Sequence, residues 1–386
     1  MAVTVFFFIT GYVVYIGYAD KVNEPEFGYW TFIKKRYIRL VPMHWLAILA
    51  FAPIVYVNYA TIRDDYYLWQ NKSSEYHMWA GWILNPFFMH TWIFSSMHYW
   101  NAPMWSVSTQ CGFYFLFPFL ARRMLKKIDK EETHVAQVYT LVTAGPNAGR
   151  SAGVVAELDA KKIDRNYVTR ARWLFFWSIV IPVCAMSFFM SETFKKEWAD
   201  PDAPDTDPGA LEEDFNIVRA YFNARSWPPF RLPVFMLGML FAAKRVRAHR
   251  NGDAANPDYV GYIGQQTDSL GWKLALWCVV SSALSCAYED QKINVRMFNE
   301  FFLTLAVAYF VYGITVAPND SWIARVVLRN RVMTFLGGLT YAAYVMQFVV
   351  WIYVNVVKTS RRTPRCRRRG STASSRTRAR IGWTCS

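Results

Sequence analysis

Charge is scarce in this chain. Asp, Glu, Lys and Arg together make up 18% of its 386 residues, below the quarter or so of a soluble domain. With 54% hydrophobic residues, that scarcity excludes a disordered or collagen-like polypeptide. Cysteine is thinly spread too. Cys111, Cys184, Cys278 and Cys286 lie in or beside apolar runs, and Cys366 and Cys385 in the tail. No CxxC or Cys/His cluster appears, so neither a zinc site nor a disulfide framework is supported. HExxH is absent, and GPNAGRSAG lacks the Gly-Lys-Ser/Thr of a phosphate-binding loop. No metal ligands are therefore expected. Met1 leads almost directly into an apolar run with no basic leader, so a cleavable signal peptide is not expected either.

What the chain has in quantity is aromatic and apolar sequence. Phe, Trp and Tyr number 29, 17 and 23. The mean hydropathy is only +0.08, because Trp and Tyr score as mildly polar and polar connections dilute the runs. A bilayer-crossing helix needs about 20 mostly apolar residues. Eight stretches approach that: Ala2–Ala19, Ile38–Val57, Met104–Ala121, Trp173–Met190, Pro229–Ala243, Gly271–Ala287, Phe301–Val316 and Phe335–Val356. The residues predict an all-α polytopic transmembrane helix bundle of about eight spans. Tyr76–Trp100, rich in Trp and His around Pro86, reads as an additional interfacial or re-entrant region.

The net charge of +15 is unevenly placed. Ten Lys+Arg and no acid lie between Lys358 and Ser386, a basic low-complexity tail expected to be disordered. Elsewhere the basic residues flank spans: Lys34, Lys35, Arg36 and Arg39; Arg122, Arg123, Lys126 and Lys127; Lys244, Arg245, Arg247 and Arg250; Arg325, Arg329 and Arg331. Residues 191–228 instead hold nine Asp+Glu against four Lys+Arg. Placing that stretch outside puts every basic cluster inside, as membrane topology favours. Nucleic-acid binding has no supporting motif. The resulting division is an N-terminal membrane half (1–121), a cytoplasmic flexible loop (122–171), a C-terminal membrane half (172–357) and the tail (358–386).

Two constellations carry possible chemistry. Arg36 and Arg39 share a helix face just before Pro42, and paired guanidiniums suit phosphate. A topogenic basic flank is the plainer account of them. Ser106, Ser108 and Gln110, after Trp105, place polar groups at the mouth of an apolar run, where such groups are costly and tend to be functional or paired. Interhelical hydrogen bonding is their plainer account. His44 follows the arginines, while His77, His90 and His98 precede Trp105; an imidazole there can transfer protons or simply pair with a neighbour.

These stretches resemble the membrane acyltransferase-3 family of multi-span O-acyltransferases. Val5 to Tyr12 is similar to its FF(V/I)(L/I)SGF segment, Phe32 to Trp45 to F..RR..RI.P.YW, and Asn101 to Pro118 to N.PLWSLSVE..FYL.FP. Leu232 to Met239 and Phe335 to Gln347 are similar to LP.FLLGM and FLGR(I/L)SYSLYL.H. The five occur in family order. Two departures stand out: Gln110 replaces the glutamate of SVE, and Gln347 replaces the final histidine. Neither glutamine can ionise. The resemblance also implies a preceding span with a histidine and a further final span, both expected to be lacking here.

The resemblance implies transfer of an acyl group, commonly acetyl, from cytoplasmic acyl-CoA to a hydroxyl of a glycan, lipid-linked sugar or other acceptor. Acyl-CoA would be a donor substrate, with no bound cofactor; the partners would be membrane lipid and a carbohydrate or lipid acceptor. Arg36 and Arg39 would hold the CoA phosphates. Ser106, Ser108, Gln110, His90 and His98 would form the catalytic set, with Trp105, Tyr341 and Tyr344 near the substrate. A non-catalytic transport or binding protein on the same scaffold, or an inactive fragment, is the alternative.

Overall fold

The computed structural model describes residues 2–61, 81–92, 102–143, 148–189, 226–287 and 292–362. Among them every long regular element is a helix. In chain order these are α1 (Ala2–Val22), α2 (Tyr29–Thr61), α3 (Trp105–Thr143), α4 (Ala148–Phe189), α5 (Pro228–Arg250), α6 (Pro257–Ala287), α7 (Lys292–Val316) and α8 (Arg331–Arg362). Short 3₁₀ turns occupy Asn85–Phe87, Ala102–Met104 and Asp253–Ala255, and a π-helical segment runs from Ile323 to Leu328.

Each of the eight apolar stretches falls on its own helix. By length and apolar composition alone, two segments among the described residues are fit to cross a bilayer: Val3–Val22 and Arg165–Ala185. The others fall short because tryptophan, tyrosine and interior polar groups dilute their apolar character. Leu303–Val316 is apolar but short.

The helices extend beyond the apolar runs. The boundary at 121/122 lies inside α3 and that at 171/172 inside α4. On either side of 144–147, the stretch expected as a flexible loop is helical. Sequences such as ARRMLKKIDKEE and VAELDAKKID are rich in strong helix formers, which outweigh the Gly and Ser content. Within that stretch, residues 144–147 lie outside the described residues.

Contacts fix the helix directions. Thr10 meets Gln110 and Arg122 meets the carbonyl of Val22, so α1 and α3 run parallel. Gly11 and Gly238 face one another where α1 crosses α5. A Cβ on Gly11 would sit 2.1 Å from the carbonyl oxygen of Phe235, and one on Gly238 2.1 Å from that of Phe8. Only glycine permits that approach, the small-residue packing common between membrane helices. Arg245 donates to the carbonyl of Thr315, placing α7 parallel to α5. Phe32 lies against Phe117 and Tyr29 against Phe119, so α2 opposes α3. Tyr341 and Tyr353 reach the carbonyls of Leu40 and Ala50, making α8 parallel to α2. Consequently Lys34–Arg36, Arg122, Lys244–Arg250 and Arg331 gather at one end of the bundle, where Arg250 pairs with Asp20 at 3.2 Å.

The core joins α1, α3 and α5 through Phe7, Phe8, Phe113, Phe117, Phe235 and Leu237, all fully buried. Large apolar residues on the outer faces of other helices are exposed, among them Leu49, Trp173, Leu276 and Phe335.

Candidate active site

Two polar clusters flank the inner face of α3. The first lies at its N-terminal end and encloses residues 81–92. There the chain makes a 3₁₀ turn at Asn85–Phe87 and a left-handed residue at Phe88 (φ 58°). Four successive carbonyls of this broken segment accept side-chain hydrogen bonds. His44 Nε2 donates to Asn85 at 2.7 Å, Trp45 Nε1 to Pro86 at 3.1 Å, Tyr37 to Phe87 at 2.8 Å, and Ser108 to Phe88. Non-helical backbone is tolerated at membrane depth only where protein satisfies it, and these four donors do so. His44 stacks on Phe88 at 4.1 Å.

This geometry relocates several expected site residues. The single Ser108 proton goes to Phe88, so Thr91 donates to Ser108 at 2.6 Å. Tyr344 donates to the Pro103 carbonyl at 2.7 Å and lies 2.8 Å from the Ser106 hydroxyl. Ser106 and Ser108 thus tie α3 to its neighbours. Trp105 is buried against Phe7, ring centroids 6.0 Å apart. His90 is fully buried, its ring nearly parallel to His44 at 6.4 Å. His98 lies outside the described residues. Tyr341 donates to the Leu40 carbonyl at 2.9 Å. Among the described residues no group of His, Cys, Asp and Glu could hold a metal ion.

The second cluster lies nearer the basic end. Gln110 Nε2 donates to the hydroxyl of Thr10 at 3.3 Å and to that of Tyr114. Thr10 gives its own proton to the Phe6 carbonyl at 2.8 Å. Thr10 can therefore only accept from Gln110, which fixes the amide with its nitrogen inward. Oε1 of Gln110 is buried and has no hydrogen-bond partner among the described residues. Next to it, the Arg36 guanidinium lies over three rings: Tyr18 at 4.9 Å, Tyr114 at 5.6 Å and Phe32 at 5.9 Å. Its Nε is buried without a partner among the described residues. Arg39, three residues on, is exposed. The two arginines expected to act together thus divide, one turned into the bundle and one outward.

The family described as an acyltransferase domain matches residues 1–363. The chain belongs to that acyltransferase family. Acyltransferase MdmB of Streptomyces mycarofaciens is 25% identical over 128 residues, which cover 33% of this chain and 30% of that protein. The chain therefore spans less than a third of the length of the curated relative it matches. No solved structure matches it.

In this acyltransferase-family chain, the sequence pattern did not single out Tyr18, Thr10 or Tyr114. Tyr114 carried a signal: it sits four residues after Gln110, the spacing that places two side chains on one helix face.

Proposed function

We propose that the chain is a multi-pass membrane O-acyltransferase that moves an acyl group, in the simplest case acetyl, from acyl-CoA to a hydroxyl. The acceptor class is a glycan, a lipid-linked sugar or another hydrophobic alcohol. Arg36 carries the reading. A half-buried guanidinium held on three aromatic rings, with no hydrogen bond or ion pair among the described residues, suits an incoming anionic or carbonyl ligand. Arg–aromatic contacts hold the cation without neutralising it.

The membrane reading is supported by the exposed apolar faces of several helices, by the Gly11–Gly238 crossing and by the gathering of basic residues at one end. Charge at the cytoplasmic face is the usual bias of multi-span proteins, so that end faces the cytoplasm, where acyl-CoA is found. Helical directions agree: α1, α3, α5 and α7 run toward the basic end, and α2 and α8 run away from it. The stretch 122–171, helical over 122–143 and 148–171, then lies on the cytoplasmic side between the two membrane halves. Arg36 and Arg39 receive the donor, and Gln110 lines the site. Trp105, Tyr341 and Tyr344 shape its far wall.

Membranes bearing the full chain should release CoA thiol from labelled acetyl-CoA, and the Arg36→Ala/Arg39→Ala double variant should release much less. Equal release by both would remove the arginines from the mechanism. Gln110, which cannot act as a base, favours a second reading as a binding or transport protein. Donor binding without thiol release would select it.

A further inference from the structure

Acyl transfer builds negative charge on the thioester carbonyl oxygen, and preorganised donors aimed at that oxygen are commonly the largest single contribution to the rate. The serines of α3 are poor candidates, since Ser108 gives its proton to Phe88 and Ser106 shares one polar knot with Tyr344 and Pro103. The second cluster differs. Tyr114 is 7% exposed. Its oxygen accepts from Gln110, and its own proton has no acceptor among the described residues. Arg36 lies 5.6 Å from the centre of that same ring, with a buried and unpartnered Nε–H. One neutral and one cationic donor are thus left uncommitted side by side, in a wall otherwise made of Tyr18 and Phe32.

Resting on the acyltransferase reading above, we propose that Arg36 and Tyr114 form the oxyanion-binding pair for the donor's thioester carbonyl. Gln110 is a positioning residue that holds the Tyr114 hydroxyl by its lone pair and turns its proton toward the substrate. In the step they serve, the acceptor hydroxyl oxygen bonds to the carbonyl carbon and the C–S bond breaks. The hydroxyl proton ends on the CoA sulfur, giving an ester and free CoA thiol.

The dimensions agree with this placement. A long pantetheine arm separates the diphosphate of acyl-CoA from its thioester, so one extended molecule cannot place both at Arg36. Lys126 is exposed twelve residues beyond Tyr114 on α3, about 18 Å along the axis, a span comparable with that arm. Arg122, Arg123 and Lys126 form an exposed basic rim for the phosphates. Arg36 then meets the carbonyl, not the phosphates.

The test is steady-state release of CoA thiol from acetyl-CoA by membranes bearing the full chain. Tyr114→Phe and Arg36→Gln should each lower kcat about 100-fold, with KM for acetyl-CoA changed less than about threefold. The Arg123→Ala/Lys126→Ala variant should do the reverse, raising KM and keeping kcat. Gln110→Leu, a milder change, should lower kcat about tenfold and guards against loss of fold in the other variants. An active wild type with an unchanged Tyr114→Phe variant overturns the pair and leaves the acyltransferase reading standing. A raised KM with unchanged kcat for Arg36→Gln returns that residue to phosphate binding and also overturns it. A wild type that binds acetyl-CoA without releasing thiol overturns both.

Discussion

The two polar clusters of α3 differ in what their side-chain donors do: in the first the donors are spent, in the second they are not. Around Ser106 and Ser108 the hydroxyl groups of Thr91, Ser108 and Tyr344 each have a partner, and so do the carbonyls of the broken segment 85–88. Around Gln110, about one turn closer to the basic end, an amide oxygen, a tyrosine proton and a guanidinium nitrogen are left over among the described residues. Buried polar groups are ordinarily satisfied. A cluster whose donors are spent fixes the chain, even with an acceptor, His44 Nδ1, left over among the described residues. A cluster with donors to spare at a charged doorway is arranged for something that arrives.

If that contrast is right, substitutions in the two clusters separate activity from stability. The largest expected effect is on turnover: Arg36→Ala should reduce acetyl-CoA-dependent thiol release by at least about 100-fold, with a thermal midpoint near that of the wild type. Ser108→Ala should act the other way. It strands the Phe88 carbonyl and the Thr91 hydroxyl, costing about 1–3 kcal/mol, measured as a lower midpoint in a fixed detergent while kcat per folded molecule stays near wild type. Tyr353→Phe removes one exposed tie between α8 and α2 and should cost about 0.5–1.5 kcal/mol or less, with no kinetic change.

The smallest effect concerns the basic end. Burial pushes the Asp268 carboxyl up, but hydrogen bonds from Ser321, from the Ile323 amide and from the Trp322 amide outweigh it and hold the group below its ordinary value. A depressed folded value stabilises above the unfolded pKa, near 4, and that stabilisation is lost as pH falls through the folded one. The site is largely exposed, so the effect is modest. The midpoint of the wild type should decline below about pH 4. Asp268→Asn should lower the midpoint at neutral pH and flatten the acid decline; an unchanged acid decline would remove this carboxylate as its cause.

Much of the architecture was legible in the sequence. Apolar runs and basic flanks marked where helices lie, because burial and charge placement act on local sequence. The helix ends were not, since basic, Ala- and Leu-rich flanks such as ARRMLKK continue the helix past its apolar part. In the Tyr76–Trp100 region, a departure from regular span structure was readable from Pro86 and the aromatic residues; residues 81–92 do break from helix, and the remainder lies outside the described residues. The polar partners were less legible. Arg36, Ser106, Ser108 and Gln110 could be picked out as polar residues, but not which of them are hydrogen-bonded, because Phe88 and Tyr344, which meet the serines, lie in distant segments. Tyr114 was passed over as one more aromatic residue in an aromatic run.

All of this rests on the basic end and the acidic stretch 191–228 lying on opposite sides of a bilayer. Single cysteines at Glu26→Cys and Asp253→Cys, both exposed near the basic end, and at Asp202→Cys can be treated with a membrane-impermeant maleimide in sealed right-side-out cells, with the native cysteines removed. Labelling of position 202 alone, with positions 26 and 253 reacting only after permeabilisation, is the predicted result; labelling of all three in intact cells would contradict it.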